Sequence, residues 1–343
     1  MNIRALLAAV AVTAAFAVPA QAAAAATSTT PTAPTTPTTP TTPTTTAAKT
    51  PPLHVISLHA KFEGALTHAA TPRIAGVVPP RAAAHAARSA STAAREAALA
   101  QSDLQYNGGP VQHSPHVYVL LWGPNWSGSS PAFNYMYNFY SGLGVTPQDD
   151  WSTVTSQYGD GSGRPGFGSS VFEGAWQDSS TPPDPVTGSD LSSEATAFTN
   201  SVSISDPADA QVVIMSQSGT CFSDGFAGSC GSTSSGGSYC AWHSYTGSVS
   251  YTNLPYQLDA GGECGENWIN SGSAGTYDGF STVGGHEYAE AITDPQLNAW
   301  LDSSGSEIGD KCAWASPHGD VALSTGSYAM QSLWSNANGG CVM

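Results

Sequence analysis

Beyond residue 100 this 343-residue chain has almost no positive charge: Arg164 and Lys311 face 23 acidic residues. A surface of that sign repels phosphate backbones and anionic lipid headgroups, so no nucleic-acid partner is expected. Cysteine is missing from the first 220 residues, and the six that follow include no C-x-x-C pair, which removes the usual support for a cysteine-rich zinc site. Long apolar runs are also missing. Residues 5–18 are apolar and uncharged, too short to span a bilayer comfortably, and nothing later is long enough, so no membrane insertion is expected. No G-x-S-x-G turn for a serine nucleophile and no phosphate-binding loop occurs.

What is present divides the chain. Arg4, the apolar run and Ala20-Gln21-Ala22 have the order of a signal peptide, residues 1–22, so the protein is expected to be secreted and extracellular. Residues 23–52 are a Thr/Pro-rich low-complexity linker that cannot bury apolar surface. Residues 53–100 carry Lys61, Arg73, Arg81, Arg88 and Arg95 against Glu63 and Glu96. A basic leader before an acidic body reads as a propeptide that docks electrostatically, with residues 81–101 as its Ala-rich helix. Residues 101–343 are then the mature acidic domain. Outside the cell its six cysteines should form three disulfides. The pairing expected is sequential, Cys221–Cys230, Cys240–Cys264 and Cys312–Cys341, although six cysteines admit about fifteen pairings.

Within that domain residues 117–122 (VYVLLW) and 211–216 (QVVIMS) are continuous apolar runs that suit buried strands. Residues 239–245, 248–256 and 328–335 also read as strands, and 217–238 as a loop. Helices are expected over 131–143, where Phe133, Met136, Tyr137 and Tyr140 form a core stripe, over 191–202, and over 278–294, closed by Pro295. Strands and helices mix without a strict βαβ rhythm, so the expected class is α+β, disulfide-stapled.

The chemistry concentrates in Gly284-Gly285-His286-Glu287-Tyr288-Ala289-Glu290. His286 and Glu290, four apart, share one helix face, the spacing two metal ligands from one helix require. Glu287 stands about 100° around, placed for a general base. Two glycines in a helix cost about 1 kcal/mol each, sensible if backbone or substrate approaches closely there. Downstream, Glu307 can return as a third ligand, with Asp310 orienting His286 through its other ring nitrogen. His243 reads as a core histidine or a substrate-facing donor, and His318 as a group that could polarise an oxyanion. His113 and His116 have no partner pattern.

HEYAEAITD followed by SSGSEIGD resembles the thermolysin-type zinc metallopeptidases, the gluzincins. By that resemblance His286 and Glu307 are zinc ligands, Glu287 the base, Asp310 the residue behind a ligand, and the fold a zincin-like mixed sheet with an active-site helix. Glu290 departs from the pattern, standing where the family has its second histidine. Over residues 105–343 the elements YNGGPV, VYVLLWG, CAWHSY, GGHEYAEAITDP and AWLDSSGSEIGDKC are similar to the plant phosphate-induced, Exordium-like secreted proteins and bacterial relatives, whose activity is poorly defined.

One imidazole and two carboxylates around a divalent ion are formally neutral, so bound water is acidified less than with two histidines. Carboxylates stay ionised to near pH 4, whereas imidazole protonates near about 6.5. Oxygen-rich ligation also admits calcium or manganese. The function expected is a secreted, zinc-dependent endopeptidase acting on extracellular protein or peptide, with Trp and Tyr lining its cleft. The alternatives are a non-catalytic wall- or carbohydrate-binding protein with a structural ion, and a metal-independent acid hydrolase using paired carboxylates.

Overall fold

A computed structural model describes residues 51–58, 72–89, 102–228 and 238–343. The expected signal peptide and all but the end of the linker lie outside them. At the centre is strand β4 (His116–Trp122), and all but its first residue are buried. It pairs in parallel with β5 (Phe172–Asp178) on one side and β6 (Ala210–Ser216) on the other. Parallel strands covered on both faces read as unbroken apolar runs, which is why both expected core strands, β4 and β6, occur where the sequence placed them. β6 continues in parallel to β8 (Val249–Leu254), and β7 (Ala241–Thr246) turns back antiparallel to β8.

Two further strands complete a seven-stranded sheet of order β1-β5-β4-β6-β8-β7-β2. Both come from the basic leader. β1 (His54–Ile56) pairs in parallel with β5 at one edge, and β2 (Ala75–Val78) pairs antiparallel with β7 at the other. Leu58 and Val78 are fully buried, while Arg73 and Arg81 donate to the carbonyls of Leu297 and Gly262. Ladder bonds, apolar burial and these two hydrogen bonds to carbonyls thus hold the segment. Its helix, α1 (Arg81–Ser89), begins where expected, and the remainder of the expected span lies outside the described residues.

The class is therefore mixed α/β with a mostly parallel central sheet. Helix α2 (Pro131–Gly142) packs on β5, and α3 (Gly188–Ser201), started by a Thr187/Asp190 capping box, packs on β6, β7 and β8. Helix α4 (Asp278–Thr293) lies against β7, β8 and β2 and has every residue buried. Asp278 is its first residue, and that carboxylate accepts from Ile269 and Asn270 N–H and so ties down the preceding loop. The single closing strand expected over 328–335 is two strands. β11 (Gly326–Gln331) forms a hairpin with β10 (His318–Leu323), and β12 (Leu333–Ser335) pairs with β13 (Gly340–Val342). Of the minor pair, β3 (Gln105–Tyr106) joins β9 (Trp300–Leu301). The disulfides Cys240–Cys264 and Cys312–Cys341 match the sequential pairing. Cys221 is also disulfide-bonded, and Cys230 lies outside the described residues.

Candidate metal centre

Helix α4 can carry a glycine pair because its neighbours occupy the missing side chains' space. A Cβ on Gly284 would lie 2.9 Å from Met136 Cε, and one on Gly285 2.7 Å from Met330 Cε. What approaches closely there is neither backbone nor substrate but the methionine side chains of α2 and β11. This tight packing fixes the turn that follows, His286-Glu287-Tyr288-Ala289-Glu290. Past the helix, Asp294 Oδ1 accepts from Asn298 and Ala299 N–H, both at 2.6 Å, and reverses the chain.

The returning loop is shaped by Asp302. Its Oδ1 accepts from Ser304 and Ser306 N–H, and its Oδ2 pairs with Lys311 Nζ at 3.0 Å, while that ammonium sits 4.2 Å from the Trp334 ring centre. The loop then lays Gly309 and Asp310 over the helix, and both N–H groups donate to Glu290 Oε1, at 3.1 and 2.9 Å. A Cβ on Gly309 would stand 2.8 Å from His286 Nδ1 and 2.9 Å from Glu290 Oε1. Glycine is needed for this approach.

The donors converge in two groups that share Glu290. In the first, His286 Nε2 lies 3.0 Å from Glu290 Oε1 and 3.7 Å from Asp310 Oδ1. In the second, His243 Nδ1 lies 3.2 Å from Glu287 Oε2 and 3.8 Å from Glu290 Oε2. Glu307 reaches the other face of His243, with Oε1 3.7 Å from Nε2. His243, His286, Glu287, Glu290 and Glu307 are all fully buried.

The structure places Asp310 differently from the sequence reading and gives His243 and His318 surroundings that the sequence left open. His243 is a member of the cluster, brought in by β7 rather than by any local motif. Asp310 stands on the Nε2 side of His286; the ring's other nitrogen, Nδ1, faces Gln331 Oε1 at 3.2 Å. Gln331 is itself held by donating to Gly309 and Ser332 carbonyls, so it is the residue that orients His286, and no sequence signal marks it. His318 lies outside the cluster, exposed, with its ring against Trp268 and Nδ1 3.0 Å from Ala315 O.

The electrostatics are those of several buried carboxyls crowded around two imidazoles. Burial, reinforced by Glu290 and Asp310, raises the Glu287 carboxyl well above the usual range. Burial and then Glu290, Asp294, Asp310 and Glu287 do the same to Glu307. Asp310 is pushed up to about 7 by burial and Glu290, against the pull of His286. Burial depresses His286, but Glu290, Asp310 and Gln331 outweigh it and raise the ring. For His243 burial wins and the ring is lowered. Among the described residues no Lys or Arg forms an ion pair with these carboxylates, and Lys311 pairs with Asp302. Among the described residues no hydrogen bond reaches Glu287 Oε1, Glu290 Oε2 or either oxygen of Glu307, and His286 Nε2 has only the ion-pair approach to Glu290 Oε1.

Buried polar atoms are almost always satisfied, and buried like charges are costly unless paired. A divalent cation answers both demands, and the donor set of imidazole nitrogens and carboxylate oxygens is one that zinc and manganese accept. The residues present therefore fit a metal. No protein-family model, curated protein or solved structure matches the chain.

Proposed function

We propose that the protein is a secreted, metal-dependent hydrolase, with zinc as the simplest ion and peptide bonds as its target. The observation that carries this reading is the group of fully buried donor atoms on His286, Glu287, Glu290 and Glu307 that lack a hydrogen bond, with no Lys or Arg paired to them among the described residues. The disulfides and the lack, among the described residues, of any helix long and apolar enough to cross a membrane are consistent with life outside the cell. The variant H-E-x-x-E helix followed by Glu307 supports a gluzincin-like ancestry within a zincin-like fold. The similarity to Exordium-like secreted proteins supports location more than reaction.

In this reading His286 and Glu290 hold the ion from α4, with Glu307 from the returning loop as the third ligand. His243 and Asp310 complete the donor wall. Bound there, the ion supplies Lewis acidity, polarising a carbonyl and acidifying water. Glu287 takes the water's proton and passes it to the leaving amine. Burial and the neighbouring Glu290 and Asp310 raise its proton affinity, in the direction a base in that role requires. His243, 3.2 Å from Glu287, fixes the carboxylate's orientation. Gln331 fixes the tautomer of His286 by accepting from Nδ1–H, which leaves Nε2 free as donor to the ion.

The test is metal content of the secreted chain with hydrolysis of an unfolded protein before and after chelation. One zinc per chain, with activity lost on chelation and regained on refilling, is expected. The complete burial of the cluster favours one second reading, a wall- or carbohydrate-binding protein with a structural ion. That reading predicts a chelator-sensitive melting temperature and no hydrolysis at any metal content.

A further inference from the structure

The leader strand β2 meets the body at one particular place. Cys240 N–H donates to Val78 O at 2.7 Å, Trp314 Nε1–H to Pro79 O at 2.6 Å, and the Ser244 hydroxyl to Arg73 O. The ladder runs Ala75 opposite His243 and Val78 opposite Ala241. Two leader residues, Gly76 and Val77, therefore face the single Trp242. That is a bulge, and its first residue, Gly76, has the left-handed φ of +59° that glycine adopts without strain. At the bulge a Cβ on residue 76 would overlap Glu290 Oε2 and His243 Nδ1. Both are donors of the metal centre. On its outer side β2 is at the surface, with Val77 40 % exposed.

We infer that the edge of β7 beside the metal centre is a docking edge for an extended chain that presents glycine to the donors. The leader strand β2 is its built-in occupant, and it keeps the centre shut until it is withdrawn. The inference rests on the proposed hydrolytic reading for its consequence, that the full-length chain is latent. Three features support withdrawal. An edge strand takes or releases an extended partner through main-chain bonds alone. The leader contains no cysteine, so no disulfide ties it to the body. Removing β2 would leave β7 with unpaired N–H and C=O groups beside the donors, which suits an incoming peptide of the same direction.

The experiment uses the full chain. Gly76→Val puts a side chain where Glu290 and His243 stand. It is expected to speed zinc uptake by the metal-stripped chain at least about tenfold, the effect of a modest steric clash. Hydrogen exchange at the Cys240 amide should rise with it. A synthetic peptide of residues 72–80 added to this variant should restore slow uptake and slow exchange, whereas the same peptide with Val for Gly76 should not. Val77→Ala, altering only the exposed side of β2, should match the parent. Should Gly76→Val not fold, the double variant Arg81→Ala/Ser244→Ala removes two leader hydrogen bonds without adding bulk and should shift both readouts in the same direction. A folded variant of either kind with parent-like uptake and exchange overturns the inference. Failure of any chain to bind zinc would instead remove the metal reading, and amide exchange with peptide rescue would still decide whether β2 is a removable occupant.

Discussion

His286 Nε2 and Glu290 Oε1 stand 3.0 Å apart, one helical turn from each other. Oε1 already accepts two backbone N–H groups from the returning loop, whereas Oε2 accepts none and faces His243. The carboxylate is thus fixed by the loop at one oxygen and free to ligate at the other. Removing its charge should act on the ion before anything else. Glu290→Gln is expected to lower zinc affinity by at least about tenfold, since an amide oxygen donates without charge. Titration with a competing chelator reads that loss, and parent-like affinity would remove Glu290 from the ligand set.

Glu287 should behave differently. Glu287→Gln keeps the shape, so zinc should remain bound while hydrolysis falls about a hundredfold or more. Stripped of metal, this variant should also melt at a higher temperature than the parent at pH 8, because it removes one of several buried, mutually repelling carboxyls. The advantage should shrink as pH falls, because the parent's Glu287, its carboxyl raised by burial and by Glu290 and Asp310, takes up a proton. A variant that melts lower than the parent at pH 8 and at lower pH alike would show that Glu287 is held by its hydrogen-bond partners rather than repelled by its neighbours.

The pH dependence of the metal-free chain follows from the same groups. Glu287 and Glu307 are raised, Asp294 stands at about 6 and Asp310 at about 7, each above its unfolded value. Between the ordinary carboxylate range and neutrality the folded chain therefore holds more protons than the unfolded one, and stability falls as pH rises. His286, also raised, acts in the same sense at the upper end. His243, lowered, opposes it below its ordinary value, one group against five. Asp160 and Asp302, lowered, matter only at more acidic pH. With excess chelator the melting temperature should rise as pH drops from about 8 to about 5, and saturating zinc should flatten or reverse that slope. A metal-free chain that is instead less stable at the acidic end would contradict the buried, uncompensated carboxylates.

The parts of this arrangement legible in the sequence are the local ones. β4 and β6 show as apolar runs because both faces are covered, and α4 shows through its motif and Pro295. β5 does not show: Gly174 interrupts it and its burial alternates weakly, so only pairing with β1 and β4 makes it a strand. His243 could not be joined to the site by spacing, because 44 residues separate it from Glu287 and the sheet alone brings them together. The glycine pair signals a close approach, but a sequence cannot name the approaching group, here the thioethers of Met136 and Met330. The basic leader shows its charge and hides its strands. Ala75–Val78 is too short to be read as a strand without β7 beside it.

Gly309 offers a sharp check on the loop geometry. Alanine there would bring Cβ within 3 Å of both His286 and Glu290, forcing the loop off the helix and withdrawing two N–H donors from Glu290. A loss of about 1–3 kcal/mol is expected from the overpacking, with zinc affinity reduced alongside. Gly319→Ala, where a Cβ meets nothing and φ is unexceptional, should stay within about 0.5 kcal/mol of the parent. Equal behaviour of the two variants in urea unfolding would show that the loop does not press on the donors.

The loop's far anchor can be separated from the metal centre. Lys311 and Asp302 pair at 3.0 Å with side chains only 2 % and 1 % exposed, and Lys311 also lies over Trp334. Breaking a buried pair from one side leaves the other charge stranded, at a cost of about 3–5 kcal/mol. Lys311→Met should therefore destabilise by roughly that amount, because Asp302 keeps its charge, while Ser304 and Ser306 N–H still hold its Oδ1. Adding Asp302→Asn removes the stranded charge and keeps an acceptor for those N–H groups. The double variant should recover a large part of the loss, and the coupling between the two positions is the measured quantity. Neither position touches the donors, so zinc stoichiometry in the folded double variant should equal the parent's. If the losses simply add, the pair contributes no shared energy and Trp334 packing on the Lys311 stem carries the anchor; if zinc is lost from a folded double variant, the anchor is what holds Gly309 and Asp310 over Glu290.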